Sequence, residues 1–133
     1  MKKVLFILLL FLPFLNNAQE FIDDSNFDDK INEQSAFGDD ETNIVVIEFW
    51  AKFNEANAFA DWNKLEGVKY YRVDIGAAPA AKKEYRVRMA PTIIIFKDGI
   101  NEESFKAGLD LECPVTLDEL IEAIEEVKTA NQF

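Results

Sequence analysis

The hydrophobic pattern is organised around two uninterrupted apolar runs, residues 44–50 and 93–96. The first run is rich in β-branched and aromatic residues and carries a single charge, Glu48. A strand that is apolar at nearly every position is buried on both faces, as in a parallel sheet covered by helices. The pattern therefore predicts an α/β domain with residues 44–50 as a central strand.

Weaker patterns predict the remaining elements. In chain order they are an edge strand at 20–22, a helix carrying Phe27, Ile31 and Gln34 on one face, a turn at 37–40, a strand at 68–74, a helix opened by Pro79, a hairpin strand at about 103–107, and a last amphipathic helix after the capping box of Thr116 and Glu119.

A further helix is predicted directly after the first apolar run. Asn54 is a favoured N-cap, since its side-chain oxygen can accept a bond from a free N–H of the first turn, worth about 0.5–2 kcal/mol relative to alanine. The positions that would then face the sheet are Ala58, Phe59, Trp62 and Leu65. Gly67 would end the helix, and Asn57 would lie half-exposed in its first turn without a role that we can derive.

Two motifs resemble thioredoxin. The first is Glu48-Phe49-Trp50-Ala51, then two residues, then Asn54-Glu55-Ala56-Asn57, where the family has Asp-Phe-Trp-Ala, two variable residues and Cys-Gly-Pro-Cys. The second, in residues 87–99, is similar to the family's Val/Ile-x-x-x-Pro-Thr element, apolar strand and Phe-Lys-x-Gly turn. The resemblance covers residues 20 to about 128. It implies a thioredoxin-like fold, with a central mixed sheet of about five strands, about four helices and a cis bond before Pro91.

Both positions where that family carries its cysteines hold asparagine, Asn54 and Asn57. Dithiol exchange needs one thiolate to attack and a second thiol to resolve the mixed disulfide. An asparagine side chain can do neither. We therefore expect a redox-inactive member of the family with no catalytic residue.

Glu48 is the one charge in the central strand, where the family has a buried aspartate. A buried carboxylate costs several kcal/mol unless it is paired or protonated. The resemblance puts Arg72 where the family has a lysine partner on the neighbouring strand. We expect the two groups within about 6 Å of each other, as a retained polar pair rather than a catalytic carboxylate.

Cys113 is the only cysteine. It could bond another chain, stay free or fill a small buried space, and the apolar residues around it and Pro114 favour the last. A redox role would need an exposed thiol with a lowered pKa, and Glu112 beside it acts in the opposite direction. The resemblance places the family's redox centre at the Asn54 region and not in the loop of residues 109–115, although it makes the loop after the hairpin one wall of the family's peptide groove.

The N-terminus has the pattern of a secretory signal. Lys2 and Lys3 precede an apolar run at residues 4–12, and Ala18 is a small residue before a polar stretch. A membrane anchor would need about 20 apolar residues, more than this run has. We expect a signal peptide at 1–18, a thioredoxin-like domain at 19–133, and export from a bacterial cell to the periplasm or medium.

Composition narrows the function classes. The net charge is −11, and loss of Lys2 and Lys3 would make it (14 − 2) − 25 = −13, which disfavours binding to nucleic acid or to anionic membranes. There is no histidine, and the pairs of neighbouring aspartates do not have calcium-loop spacing. We expect no metal and no cofactor.

The resemblance implies a peptide groove at the corner of the fold. Its candidates here are Trp50, Phe53, Met89, Ala90 and Pro91, with the residue before the cis-proline offering its backbone to an extended peptide. We therefore expect a non-catalytic exported domain that binds polypeptides or a partner protein, in a chaperone-like or assembly role. The alternative is a thiol-disulfide oxidoreductase that uses Cys113 or a partner's cysteine. The pattern does not indicate an oligomeric state.

Overall fold

A computed structural model describes residues 20–33 and 43–130 of the chain. Its five strands are β1 (Glu20–Ile22), β2 (Ile44–Trp50), β3 (Lys69–Asp74), β4 (Thr92–Lys97) and β5 (Ile100–Lys106), in the sheet order β1-β3-β2-β4-β5. β1, β3 and β2 are parallel, and β4 is antiparallel to β2 and β5. The predicted mixed sheet with its central strand is confirmed.

Three α-helices lie in the described part of the chain: α1 (Phe27–Ile31), α2 (Pro79–Glu84) and α3 (Leu117–Thr129). Pro79 opens α2, and the predicted capping box of Thr116 and Glu119 opens α3. None of the described helices is long and apolar enough to cross a bilayer. The predicted signal peptide, the turn at 37–40 and Gln34 lie outside the described residues.

The central strand is apolar on both faces because the sheet has a core layer on each side. Val45, Ile47 and Phe49 pack with α1 and α2 in one layer. Val46 packs with α3 in the other layer, with Ile93 and Ile95 of β4 beside it. Full burial of each such side chain contributes about 1.5–3 kcal/mol.

The helix predicted from Asn54 is wrong. The chain forms two short 3₁₀ segments instead, Lys52–Asn57 and Trp62–Lys64. Asn54 has non-helical angles (φ −123°, ψ 26°), and Ala58 is extended (φ −63°, ψ 155°), so the segment is interrupted twice. Asn54 makes no side-chain cap.

The apolar positions of this stretch nevertheless reach the core. Phe59 is buried, and Trp62 and Leu65 pack against the α3 side of the sheet. Gly67 has a left-handed conformation (φ +73°), as expected of a chain-reversing glycine, but it follows a 3₁₀ segment rather than a helix.

Strand register brings four chain segments together at one end of the sheet. Phe49 at the end of β2 pairs with Thr92 at the start of β4, and Thr92 pairs with Lys106 at the end of β5. Trp50 pairs with the last residue of β3. We call this end the Asn54 corner, meaning residues 50–58, 89–91 and 108–113.

Candidate functional site at the Asn54 corner

Asn54 ties three segments of the corner together through its side-chain amide. Its Nδ2 donates to the backbone oxygens of Ala90 and Leu111, each at 2.8 Å. Its Oδ1 accepts from Nδ2 of Asn57, also at 2.8 Å. Both amide protons and the amide oxygen are therefore in use, and the two asparagines act as one hydrogen-bonded unit.

This bridge occupies the backbone group that the resemblance assigned to peptide binding. The Ala90–Pro91 bond is cis, as the resemblance implied, and both residues are buried. The Ala90 carbonyl accepts from Asn54, and the Pro91 carbonyl accepts from the Ala107 N–H at 3.1 Å. An extended peptide would have to displace the Asn54 amide to reach the Ala90 carbonyl.

The segment after β5 completes the bridge by folding over the corner. Leu111 has a left-handed backbone (φ +59°), and its N–H donates to the Gly108 carbonyl at 3.0 Å. The Asp110 carboxylate accepts from the Glu112 N–H at 3.1 Å. This tight turn presents the Leu111 carbonyl to Asn54, so the loop after the hairpin reaches the corner, as the resemblance implied.

Two apolar side chains stand out in solvent beside the bridge. Phe53, next to Asn54, is 77% exposed, and Leu109, two residues before Leu111, is 92% exposed. Each of these exposed apolar side chains is carried by a segment that the Asn54 bridge joins. The resemblance implied that the loop carrying Leu109 lines the corner, but Leu109 itself was not named among the candidates.

Trp50 is held at the edge of the corner by aromatic and cationic contacts. It packs edge-to-face on Phe21, with ring centroids 5.3 Å apart, and the Arg72 guanidinium lies 6.0 Å from its ring. Its buried Nε1 has no hydrogen-bond partner in the described part of the chain. Met89 is half-buried and lines a groove with Arg88 and Lys106.

The predicted pair of Glu48 and Arg72 is present beneath the corner. Glu48 is fully buried, and its Oε1 accepts from Nη2 and Nε of Arg72 at 3.0 and 3.2 Å. Its Oε2 accepts from the Phe59 N–H at 3.2 Å, and Arg72 Nη2 donates to the Phe59 carbonyl at 3.3 Å. The pair therefore holds the backbone that follows the first 3₁₀ segment.

Tyr70 is a member of this network that the sequence analysis missed. Its hydroxyl donates to Oε1 of Glu48. Burial first, and the Glu48 charge second, raise the pKa of Tyr70, so it remains a neutral donor. The available signal was strand alternation, because Tyr70 precedes Arg72 by two residues and so faces the same side of β3.

Comparison with known proteins agrees with this architecture. The sequence matches the family model described as thioredoxin over residues 18–126.

The chain belongs to the thioredoxin family.

A curated relative, Thioredoxin-2 of Pyricularia oryzae, is 32% identical over 62 residues, which are 42% of this chain. The match spans 36% of that relative's length.

Two solved thioredoxins share the fold of this family member. Thioredoxin f2 of Chlamydomonas reinhardtii is 13% identical with a TM-score of 0.60, over 84% of this chain and 97% of that one. The thioredoxin of Malassezia sympodialis is 18% identical with a TM-score of 0.58, over 84% of this chain and 91% of that one. At these identities the likeness concerns the fold alone.

The lone thiol of this thioredoxin-family chain is a poor nucleophile. Cys113 is half-buried against the α3 side of the core, and its Sγ donates to the Val115 carbonyl at 3.4 Å. Burial raises the pKa of the thiol. The hydrogen bond to Val115 offsets part of this rise, and the Glu48 charge raises the pKa slightly further. The thiol therefore has less thiolate at neutral pH than an ordinary cysteine.

The described residues hold no cluster of three or more cysteine or carboxylate side chains that could bind a metal ion. The groups present at and beneath the corner are side-chain amides, the buried ion pair of Glu48 with Arg72, and exposed apolar side chains.

Proposed function

We propose that this chain is a non-catalytic, exported thioredoxin-like domain that binds a polypeptide partner at the Asn54 corner. The observation that carries the proposal is the amide bridge from Asn54 to Ala90 and Leu111. By the resemblance, Asn54 lies where the family has its first cysteine, and its side-chain amide holds the segments of Ala90 and Leu111 in place.

The proposed contact surface is the apolar pair of Phe53 and Leu109, not the backbone of Ala90. Large apolar side chains that remain exposed beside a rigid backbone are typical anchors of a protein interface. The bridge fixes both anchors, because Asn54 follows Phe53 directly and the Leu111 turn carries Leu109. A rigid surface of this kind loses less entropy when a partner binds.

Support for the alternative, an oxidoreductase that uses Cys113, is weaker. The thiol is half-buried, its pKa is raised, and the corner offers no second thiol to resolve a mixed disulfide. A partner's cysteine would have to supply the resolving step. We therefore keep recognition as the proposed function.

Site-specific photo-crosslinking tests the proposal. The photo-crosslinker replaces Phe53, Leu109 or, as a matched control, Ile100, which is 63% exposed but lies at the opposite end of the sheet. In the producing cells, we expect the same partner adduct from positions 53 and 109 and none from position 100.

The captured partner then allows a quantitative check. We expect Phe53→Ser and Leu109→Ser each to weaken its binding by about tenfold or more, as loss of an interface anchor does, while Ile100→Ser has little effect. Equal adducts from all three positions, or equal affinities of the three variants, would contradict a binding surface at the Asn54 corner.

A further inference from the structure

A cationic face borders the Asn54 corner at Met89, in a protein whose net charge is −11. We call it the basic face. Its members are Lys82 and Lys83 of α2, Arg86 and Arg88 of the following loop, and Lys106 of β5. Two separate segments, residues 82–88 and the end of β5, thus bring five of the chain's cations to one surface.

The charged groups of the basic face take no part in the ion pairs of the described part of the chain. Ion pairs in the described residues involve Lys30, Lys64, Lys69, Arg72 and Lys128. The five members of the basic face form no ion pair with any described residue. Glu84 is the nearest acid in sequence, but it lines neither groove of this face.

Two grooves that share Arg86 and Arg88 run across the basic face. One has a volume of about 280 Å³ and ends at Met89, Lys106 and Ala107. The other has a volume of about 560 Å³ and includes Pro79 and Val87. The two grooves therefore have both charged and apolar lining residues and meet at Arg86 and Arg88.

We propose that the basic face binds an extended acidic segment of a partner protein, in which apolar residues are interspersed among the carboxylates. The cations are spread along two joined grooves, which fits an elongated anion better than a compact one. The apolar lining fits side chains of a polypeptide. A long nucleic acid would be repelled by the acidic remainder of the molecule.

This site goes beyond the proposed function, because it involves neither Phe53 nor Leu109. A partner that covers the Asn54 corner could also reach the basic face through Met89, but acidic-segment binding does not require it. Electrostatic complementarity would select acidic segments and speed their encounter with the grooves.

Fluorescence anisotropy with a defined probe tests the inference. The probe is a short fluorescein-labelled peptide in which glutamate and valine alternate, and the control peptide has lysine in place of glutamate. We expect the acidic peptide alone to bind, and its affinity to fall as salt is raised. We expect Arg88→Gln with Lys106→Gln to weaken binding about tenfold, the effect of two exposed charge pairs.

The matched control is Lys64→Gln with Lys128→Gln, which removes the same charge from positions outside both the grooves and the Asn54 corner. We expect this variant to bind like the unchanged protein. Absence of binding, equal binding of the lysine peptide, or an equal loss in both double variants would overturn the proposal. Tighter binding of a labelled single-stranded oligonucleotide would also overturn it.

Sedimentation of the protein alone tests a second copy as the occupant. Helix α3 exposes Glu122, Glu125 and Glu126, which a neighbouring molecule could place in the grooves. We expect the protein's mass not to change with the Arg88→Gln and Lys106→Gln substitutions. Self-association that these substitutions abolish would assign the basic face to a homo-oligomer and overturn the partner assignment.

Discussion

At the scale of single residues, the side-chain amide of Asn54 has a structural task, because it joins three segments of the corner. Asn54 donates twice and accepts once, so removal of its side chain would leave two carbonyls and the Asn57 amide without their partner. An unpaired polar group in a partly buried site costs more than the bond itself is worth. The corner is therefore expected to depend on Asn54 more than on any exposed asparagine.

Asn54→Ala should lower the free energy of unfolding by about 1–3 kcal/mol, because buried hydrogen-bonding groups lose their partner. Asn63→Ala is the matched control, since Asn63 is exposed. Urea denaturation of both variants measures the difference. A loss for Asn54→Ala no larger than that of the control would mean that the bridge does not stabilise the corner.

The thiol of Cys113 should titrate above the pH at which the same thiol titrates in the unfolded chain. Its raised pKa means that thiolate forms only at higher pH in the folded protein, and thiolate is the reactive species. The pH profile of iodoacetamide alkylation, measured in buffer and in urea, compares the two states. A folded-state profile shifted to lower pH would instead indicate an activated cysteine.

Sequence reasoning located the residues of the site better than their roles. It named Asn54, Asn57 and the Glu48–Arg72 pair, because the two motifs fix their positions along the chain. It missed the bridge, since Leu111 is far from Asn54 in sequence and no local pattern encodes that contact. It also missed Tyr70, although strand alternation carried the signal.

At the scale of elements, the stretch after β2 is the one that departs from expectation. Its apolar residues Phe59, Trp62 and Leu65 satisfy a helical pattern, but they also reach the core from a chain that alternates 3₁₀ turns with extended residues. Periodicity over so few residues does not separate these conformations. Side-chain hydrogen bonds from Glu48 and Arg72 to the Phe59 backbone fix this stretch, whereas a helix would be fixed by its own backbone hydrogen bonds.

Glu48→Gln should therefore loosen residues 52–64 as well as the whole domain. The substitution leaves the mostly buried Arg72 charge without its counter-ion, which costs about 3–5 kcal/mol when one partner of a buried pair is removed. Hydrogen exchange should show faster exchange of the Phe59 amide than in the control Glu112→Gln, whose carboxylate is exposed. Unchanged exchange at Phe59 would exclude this role for Glu48.

At the scale of the whole molecule, the sheet could be predicted because its signals are strong and mutually consistent. β2 is apolar except for Glu48, and β4 is apolar between its terminal residues Thr92 and Lys97, as is typical of strands buried on both faces. The hairpin turn and the cap of α3 have favoured residues. The end of the sheet that carries the site follows from strand register. The basic face was not predicted, because the net charge has the opposite sign and only the fold brings Lys106 to the four cations of residues 82–88.

Catalysed reduction of insulin, with dithiothreitol as the reductant, is the most direct test of whether this chain catalyses thiol-disulfide exchange. We expect insulin turbidity to appear no earlier with this protein than without it, and we expect the Cys113→Ser variant to behave in the same way. A thioredoxin with both cysteines serves as the positive control. If the unchanged protein clearly accelerated the onset of turbidity and the Cys113→Ser variant did not, the domain would be a catalyst and the proposed function would be wrong.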